Sequence, residues 1–194
     1  SSAYDFITAK ISTLEITPGQ LALDPCSGSV VVTDPNTGQV LACVTYPGYD
    51  NSRLANVMDV DYYNKMASDL SQPFFNKATQ QQTAPGSTFK MVSAIAGLES
   101  GIVDASTGIN CTGSFEEVEP HIDCWNTYGH GSIDLETALE QSCNYYFNEI
   151  GYVLGMDENN RFSENLSLQN LKKYASMLSM DKPSGVEISE ADPQ

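Results

Sequence analysis

Residues 83–98 read TAPGSTFKMVSAIAGL, and this stretch decides the fold. After a proline–glycine pair the pattern predicts a helix over 87–99 that is apolar on nearly all sides, which is typical of a central buried helix. Ser87 stands at its start and Lys90 follows three residues later. The positive end of the helix dipole disfavours a cation in this first turn by about 0.3–1 kcal/mol. The position of Lys90 therefore requires a chemical explanation.

The pair formed by Ser87 and Lys90 has the composition of a nucleophile and its base. Residues three apart lie on one face of a helix, so we expect their side chains to share a hydrogen bond. Burial and the field of the helix N-terminus are expected to lower the pKa of Lys90, and a neutral amine can activate a serine. Free N–H groups at the helix start can stabilise an oxyanion. A serine that only caps the helix and a lysine that extends to solvent would be the structural alternative.

A second pair of polar residues lies in the stretch QSCNYYF, residues 141–147. Ser142 and Asn144 would point in nearly opposite directions on a continuous helix. If both serve one site, a helix over 134–141 must end there and another must begin near 143. Ser142 would then relay a proton, and Asn144 would bind a substrate amide. A helical serine and a capping asparagine are the alternative.

Composition excludes some classes of partner. The chain has 194 residues, 41% of them hydrophobic and 18% charged, and its formal net charge is −16. This acidity argues against nucleic acid, because phosphate binding requires basic patches. No stretch reaches the roughly 20 apolar residues of a membrane span, and the N-terminus does not resemble a signal peptide. We therefore expect any anchor or export signal to lie outside this segment.

The other segments predict a mixture of strands and helices. Residues 1–27 are expected to form a helical lead-in and a loop with a turn at TPGQ. Two β-branched runs, 30–33 and 40–45, flank DPNTG and predict a hairpin. Because both runs are nearly all apolar, we expect both faces of the hairpin to be covered. The remaining predictions are a weak helix over 57–72, a loop over 102–131, a helix over 167–180, and a loop or edge strand over 182–194.

Cysteine and histidine spacing gives no metal motif. The five cysteines stand at positions 26, 43, 111, 124 and 143, none in a C-x-x-C pair, and the two histidines complete no zinc pattern. We therefore expect no metal site. Cys111 and Cys124 could form a disulfide in an oxidising compartment, and buried free thiols are the alternative. His130 is interpreted as a turn residue that supports the site, and Trp125 as packing or a cleft rim.

Taken together, the two motifs resemble those of a known family. PGSTFK followed about fifty residues later by SCN is similar to the Ser-x-x-Lys and Ser-x-Asn motifs of penicillin-binding proteins and serine β-lactamases. The flanking stretches GSVVVTDPNTGQVLACVTYPGYD, FFNKATQQQTAPGSTFK and CWNTYGHGSIDLETALEQSCNYYF resemble class B, monofunctional penicillin-binding proteins. The resemblance implies an α+β, serine β-lactamase/transpeptidase-like fold, with an antiparallel sheet packed against helical clusters. It divides the chain into a lead-in, 1–27, and the N-terminal part of a transpeptidase domain, 28–194.

The resemblance also implies roles for individual residues. Ser87 would be the acylated nucleophile, with its backbone N–H in the oxyanion hole, and Lys90 the base. Ser142 would shuttle a proton, and Asn144 would bind the stem peptide. The substrate would be a D-Ala-D-Ala-terminated peptidoglycan stem, the acyl-enzyme would be resolved by an amine of a neighbouring stem, and β-lactams would acylate the same serine. No cofactor is implied. The expected location is the extracytoplasmic face of the bacterial membrane, with an upstream anchor and other cell-wall synthesis proteins as partners.

The chain departs from the family pattern at its third motif. Neither Lys-Thr-Gly nor Lys-Ser-Gly is present, and only KPSG at 182–185 comes near. We therefore expect the fold to be incomplete without the remainder of the transpeptidase domain. A site lacking one oxyanion donor typically loses about 10²–10³ in rate, so the isolated segment should be inactive or weak.

Two other functions fit the first two motifs. A β-lactamase or penicillin-sensing receptor would differ from a transpeptidase in how fast its acyl-enzyme is hydrolysed. A non-catalytic scaffold would form no adduct on Ser87.

Overall fold

Helices and antiparallel strand pairs make up the chain, which confirms the predicted α+β class. The computed structural model describes residues 3–13 and 27–193. The chain divides into two units, one of residues 1–82 and 186–191 and the other of residues 83–185 and 192–194. The predicted lead-in helix is present, whereas the loop predicted to follow it, including the TPGQ turn, lies outside the described residues.

The elements are named in chain order. The helices are α1 (Ala3–Ser12), α2 (Val60–Ala67), α3 (Lys77–Gln80), α4 (Lys90–Glu99), α5 (Leu135–Glu140), α6 (Asn144–Leu154) and α7 (Glu164–Met177), with 3₁₀ helices at Asn51–Arg53 and Gly86–Phe89. The strands are β1 (Gly28–Thr33), β2 (Val40–Tyr46), β3 (Ile109–Cys111), β4 (Ser114–Phe115), β5 (Ile122–Asp123) and β6 (Gly131–Ile133). They pair as β1–β2, β3–β6 and β4–β5. Among the described helices, none has both the length and the apolar character that a membrane span requires.

The predicted hairpin forms from β1 and β2 in the first unit. Val30 lies opposite Val44, and the register shifts after Val32. The turn is stabilised by Asp34, whose side chain accepts from the backbone N–H of Asn36 at 2.8 Å. An aspartate at this position of a turn commonly bonds the backbone two residues later, so the DPNTG sequence explains the turn.

The expectation that both faces of the hairpin are covered is wrong for the described residues. Val30 is 59% exposed, and its neighbours Val31 and Val32 on alternate faces are also exposed. Burial of this apolar surface would stabilise the protein by about 25 cal/mol for each Å² removed from water. Among the described residues, the apolar surface of this hairpin is therefore left uncovered.

The helix predicted from 87 divides into two parts in the second unit. Gly86 has φ of +56°, which glycine adopts without strain, and a 3₁₀ turn follows before α4 begins at Lys90. Val92, Ala94 and Ala96 of α4 are buried. Met91 is 63% exposed, so the helix is not buried on all sides as predicted. The buried side of α4 is directed at the other helices of this unit.

The core of the second unit lies between α4, α6 and α7. Its largest fully buried side chains include Tyr146, Phe115 and Ile150. The Tyr146 hydroxyl donates to the carbonyl of Thr107 at 2.9 Å, so this buried polar group is satisfied. The core therefore fixes α6 against α4, and these two helices begin at Asn144 and Lys90, two of the four candidate site residues.

Several segment predictions need correction. The region 102–131, predicted as a loop, contains β3, β4 and β5, which are two or three residues long. Such short strands leave no readable alternation of side chains, so the sequence does not reveal them. Two predicted helices are present with different bounds. Helix α2 is shorter than the predicted 57–72, and α7 begins and ends three residues before the predicted 167–180. No strand forms in the described residues after 182.

Replacement of Ile150 by alanine is expected to lower the free energy of unfolding by about 2–5 kcal/mol. Ile150 has no exposed surface, and truncating it leaves a cavity between α6 and α4. Leu168→Ala is the matched control, because Leu168 on α7 is exposed. Urea unfolding of both variants checks the prediction. An equal effect of the two substitutions would contradict the assignment of the core.

Candidate active site

The helical structure is interrupted between α5 and α6, as expected if Ser142 and Asn144 belong to one site. The Asp134 side chain caps α5 by accepting from the Thr137 N–H at 2.9 Å. Ser142 then adopts φ of +50°, a left-handed conformation that is uncommon for serine, and α6 begins at Asn144. With the helix interrupted at this residue, the side chains of Ser142 and Asn144 both contact Lys90.

Lys90 lies at the junction of the two motifs. Its Nζ donates to the carbonyl of Ser142 at 2.7 Å, to Ser142 Oγ at 3.1 Å and to Asn144 Oδ1 at 2.7 Å. It also lies 5.7 Å from the centroid of the Phe147 ring, within reach of a cation–π contact. The lysine is therefore directed at the α5–α6 break and does not extend to solvent.

Ser87 completes the group. Ser142 Oγ donates to Ser87 Oγ at 2.9 Å, and the Ser87 side chain is exposed. The predicted link between Ser87 and Lys90 thus passes through Ser142 instead of forming directly. No side-chain bond caps the 3₁₀ turn that carries Ser87, so this serine is not held as a helix cap. The structure brings all four predicted site residues together.

The surroundings of Lys90 shift its proton affinity. Desolvation by burial lowers the pKa of Lys90 below its usual value, and the charges of Cys143 and Cys124 act in the opposite direction. This direction agrees with the lowering expected from burial of Lys90. A lowered pKa increases the fraction of neutral amine at physiological pH, which is the form that can accept a proton.

An aromatic residue and a cavity lie beside this group. Trp125 is exposed, as expected of a cleft rim, and its Nε1 donates to the carbonyl of Gln141 at 2.9 Å, next to Ser142. A mainly apolar cavity of about 340 Å³ adjoins Lys90. Asn148 lines this cavity, and its Nδ2 is buried with no hydrogen-bond partner among the described residues.

Behind the α5–α6 break, four potential metal ligands converge. They are Cys111, Cys124, His130 and Cys143, and their ligand atoms all lie within 4.8 Å of one another. The three cysteines are buried and free, so the disulfide considered for Cys111 and Cys124 is not formed and the alternative of buried thiols is correct. His130, interpreted as a supporting turn residue, directs Nδ1 at two of the sulfurs.

This cluster is not apparent from the sequence. Its members come from the end of β3, the residue after β5, the residue before β6 and the residue before α6. They are separated by 13, 6 and 13 residues, which matches no compact zinc motif. One available signal was Cys143 at a helix N-cap, where its Sγ accepts from the Tyr146 N–H, because serine, threonine, aspartate and asparagine are the usual caps.

The chain is similar to proteins of known function. The family model described as the penicillin binding protein transpeptidase domain matches residues 28–194. The peptidoglycan D,D-transpeptidase MrdA of Acinetobacter baumannii is 33% identical over 137 residues, which are 70% of this chain and 20% of that protein.

Solved structures show the same fold. The crystal structure of Pseudomonas aeruginosa PBP2 in complex with WCK 5153 matches with a TM-score of 0.74 and 25% identity, over 90% of this chain and 38% of that one. PBP2 of Helicobacter pylori, solved in a complex with MreC, matches with a TM-score of 0.75 and 22% identity, over 87% of this chain and 29% of that one.

These matches have a defined extent. The chain spans 20% and 24% of the length of the first two curated relatives. The family model covers most of the chain, and the antiparallel strands and helices have the serine β-lactamase/transpeptidase-like arrangement of the solved neighbours. The chain belongs to the penicillin-binding protein transpeptidase domain family, in the class B group that its motifs resemble.

Proposed function

We propose that the protein containing this chain is a serine D,D-transpeptidase that cross-links peptidoglycan stem peptides. The observation that carries this proposal is the hydrogen-bonded series from Ser87 Oγ through Ser142 Oγ to Lys90 Nζ, with distances of 2.9 and 3.1 Å. A nucleophile, a relay and a base with a lowered pKa lie in contact at the start of a helix. Such an arrangement suits acyl transfer through a covalent intermediate.

In the first half of the reaction Ser87 Oγ would attack the carbonyl between the two terminal D-alanines. Its proton would pass to Ser142 Oγ, while the proton of Ser142 passes to neutral Lys90. Collapse of the tetrahedral intermediate breaks the peptide bond, and the leaving D-alanine amine takes a proton back through Ser142. The stem remains as an ester on Ser87.

In the second half an amine from a neighbouring stem would attack this ester. The same relay accepts the amine's proton and returns one to Ser87 Oγ, so the enzyme is regenerated and a new peptide bond is formed. A β-lactam would acylate Ser87 as well: its ring C–N bond breaks, the ring nitrogen takes the proton, and the amine formed stays attached to the resulting ester on Ser87 Oγ. The 28–194 part of the chain would contribute the nucleophile, the relay and the base to this cycle.

Asn144 is proposed to bind the stem peptide. Its Oδ1 accepts from Lys90, and its Nδ2 donates a long hydrogen bond of 3.3 Å to the carbonyl of Asp123. Hydrogen bonds of this type are most often about 2.9–3.0 Å long, so the Nδ2 partner is weak. A substrate carbonyl would compete effectively for this donor.

Partners and location belong to the same proposal, and the names of the relatives support them. MrdA is named a peptidoglycan D,D-transpeptidase, and the Helicobacter pylori relative was solved with MreC. We infer that this protein acts at the extracytoplasmic face of the bacterial membrane with other cell-wall synthesis proteins, and that it is a target of β-lactam antibiotics.

The lifetime of the acyl-enzyme tests this function. With the full-length protein we expect penicillin to form a long-lived adduct, and a D-Ala-D-Ala peptide to yield a cross-linked product with an added amine acceptor. Mass spectrometry follows both. Rapid hydrolysis of the adduct without amide product would show a β-lactamase. Absence of any adduct would show a non-catalytic scaffold.

A further inference from the structure

Two aromatic side chains stand exposed on the loop between β5 and β6, beside the relay of the proposed reaction. Trp125 is 62% exposed and Tyr128 is 97% exposed. Aromatic side chains of this size usually bury about 150–250 Å² each, so leaving two of them in water on one loop is unfavourable. Tryptophan and tyrosine are also the residues that contribute most often to the energy of binding surfaces. The exposure of this pair therefore points to a ligand.

Hydrogen bonds and close packing define the backbone of this loop. The Asn126 side chain donates to the carbonyl of Gly129 at 2.9 Å and accepts from the Tyr128 N–H at 3.2 Å. The backbone at Thr127 packs directly against Gly113, where any side chain would collide with the Thr127 carbonyl. The loop therefore presents its aromatic side chains from a backbone that is bonded on both sides of Tyr128.

The loop adjoins the hydroxyl that would take a proton from the incoming amine. Trp125 Nε1 donates to the carbonyl of Gln141 at 2.9 Å, and Gln141 immediately precedes Ser142 in the sequence. In the second half of the proposed reaction the attacking nitrogen must come within hydrogen-bond distance of Ser142 Oγ. The exposed ring of Trp125 is thus within reach of the molecule that carries this nitrogen.

The surroundings of the loop are acidic. Between Lys90 and Arg161 the sequence contains no lysine or arginine, whereas acidic residues recur throughout this stretch. Asp123 and Glu140 are both exposed, and each lies within two residues of one end of the Trp125 hydrogen bond. A surface with one sign of charge attracts ligands of the opposite sign. An aliphatic amine is a cation at neutral pH, whereas the donor peptide ends in a carboxylate, so this surface suits the acceptor and not the donor.

We propose that Trp125 and Tyr128 form the binding surface for the amine acceptor, and that the acidic residues around them select a primary amine on a flexible aliphatic chain. The aromatic faces would contact the methylene groups of that chain and attract its ammonium group, which interacts with an aromatic face within about 6 Å. This inference rests on the proposed function and names the class of acceptor that the function uses.

The bound ammonium group must become neutral before it reacts, and it loses one proton to solvent. Its nitrogen then attacks the carbonyl carbon of the ester on Ser87. A C–N bond forms, the bond from that carbon to Ser87 Oγ breaks, and one N–H proton passes through Ser142 to Ser87 Oγ. The aromatic surface takes no part in these steps and acts by holding the chain that carries the nitrogen.

Competition between transfer and hydrolysis measures this surface in the full-length protein. A D-Ala-D-Ala-terminated peptide is the donor, and mass spectrometry gives the ratio of amide to hydrolysed product at a fixed acceptor concentration. This ratio does not depend on how fast Ser87 is acylated. We expect pentylamine to give a ratio about 10-fold higher than ethylamine, because its additional methylene groups contact the aromatic rings.

The charge of the acceptor is tested with 6-aminohexanoate, which has a chain of similar length that ends in a carboxylate. At low ionic strength we expect it to give a lower ratio than pentylamine. The difference should shrink in about 1 M salt, because the screening length is then only about 3 Å. Asp123→Asn combined with Glu140→Gln should have the same effect as added salt.

Substitutions on the loop test the aromatic surface itself. Tyr128→Ser and Trp125→Leu should each lower the ratio for pentylamine by about 2- to 5-fold, which is the size of an exposed contact with an aromatic face. Trp125→Phe keeps an aromatic face without the Nε1 donor and should retain most of the preference. Met177→Ala is the control, because Met177 is exposed on α7.

The possible outcomes separate this inference from the proposed function. Equal ratios for pentylamine and ethylamine, or ratios unchanged by Tyr128→Ser and Trp125→Leu, would overturn the acceptor surface and leave the acyl-enzyme mechanism in place. An equal loss in Trp125→Phe and Trp125→Leu would show that Trp125 only supports the turn at Ser142, and would overturn its role in binding. Absence of both products with every acceptor would refute the proposed function itself.

Discussion

Replacement of Ser87 by alanine is expected to abolish covalent labelling of the full-length protein by penicillin. Ser87 Oγ is the exposed end of the hydrogen-bonded series that reaches Lys90. Ser142 Oγ donates to it at 2.9 Å, and no other hydroxyl among the described residues takes this place. Removing the nucleophile removes the intermediate itself, so the adduct should disappear and not merely form slowly. Intact-mass spectrometry with and without penicillin measures the result.

Thr88→Ala is the matched control for this experiment. Thr88 carries a neighbouring exposed hydroxyl, but that group donates to the carbonyl of Pro85 and takes no part in the series. We expect the control to be labelled fully. Exposed substitutions of this kind usually change stability by less than about 0.5 kcal/mol, so both proteins should remain folded. A full adduct on the Ser87→Ala protein would show that the nucleophile has been misassigned.

Replacement of Lys90 by methionine is expected to slow acylation by about 10²–10⁴-fold, the usual contribution of a general base. Methionine keeps the apolar stem of the side chain but removes the amine that contacts Ser142 and Asn144. Lys90→Arg should be impaired as well, because arginine keeps the charge but does not lose its proton. Stopped-flow acylation with a fluorescent penicillin gives the rate constants.

The pH dependence of wild-type acylation gives a second measure of Lys90. Only the neutral amine can accept a proton, so the rate should rise with pH and level off above the pKa of Lys90. Because burial lowers that pKa, the rise should be centred below the usual lysine value of about 10.4. Lys173→Met, which removes an exposed lysine on α7, should leave both the rate and the profile unchanged. An unaltered acylation rate in Lys90→Met would exclude this lysine as the base.

Much of the candidate site was predictable because its motifs are local. One helical turn separates Ser87 from Lys90, so their proximity follows from chain geometry alone. Ser142 and Asn144 required a helix break, and the structure confirms the break. The order of contacts was not predictable, because Ser142 lies between Ser87 and Lys90 only when α6 packs against α4.

The parts that sequence reasoning missed depend on distant neighbours. The apolar strands of the hairpin predicted burial, yet Val30 and Val44 are exposed among the described residues. The strands between 102 and 131 are too short for periodicity to reveal them. In both regions, burial and strand pairing depend on which segments of the chain lie opposite. The composition of a segment does not specify its neighbours in the fold.

The amino-acid sequence by itself determined the family, through two motifs about fifty residues apart. It also determined the antiparallel hairpin and the helix break near Ser142, because each of these depends on residues within a few positions of one another. Only the tertiary structure decided that Lys90 contacts the second motif and that Cys111, Cys124, His130 and Cys143 meet at one point. The physical reason is that packing of α4 and α6 and pairing of β3 with β6 bring together residues that are far apart in the chain, and no local propensity specifies those distances.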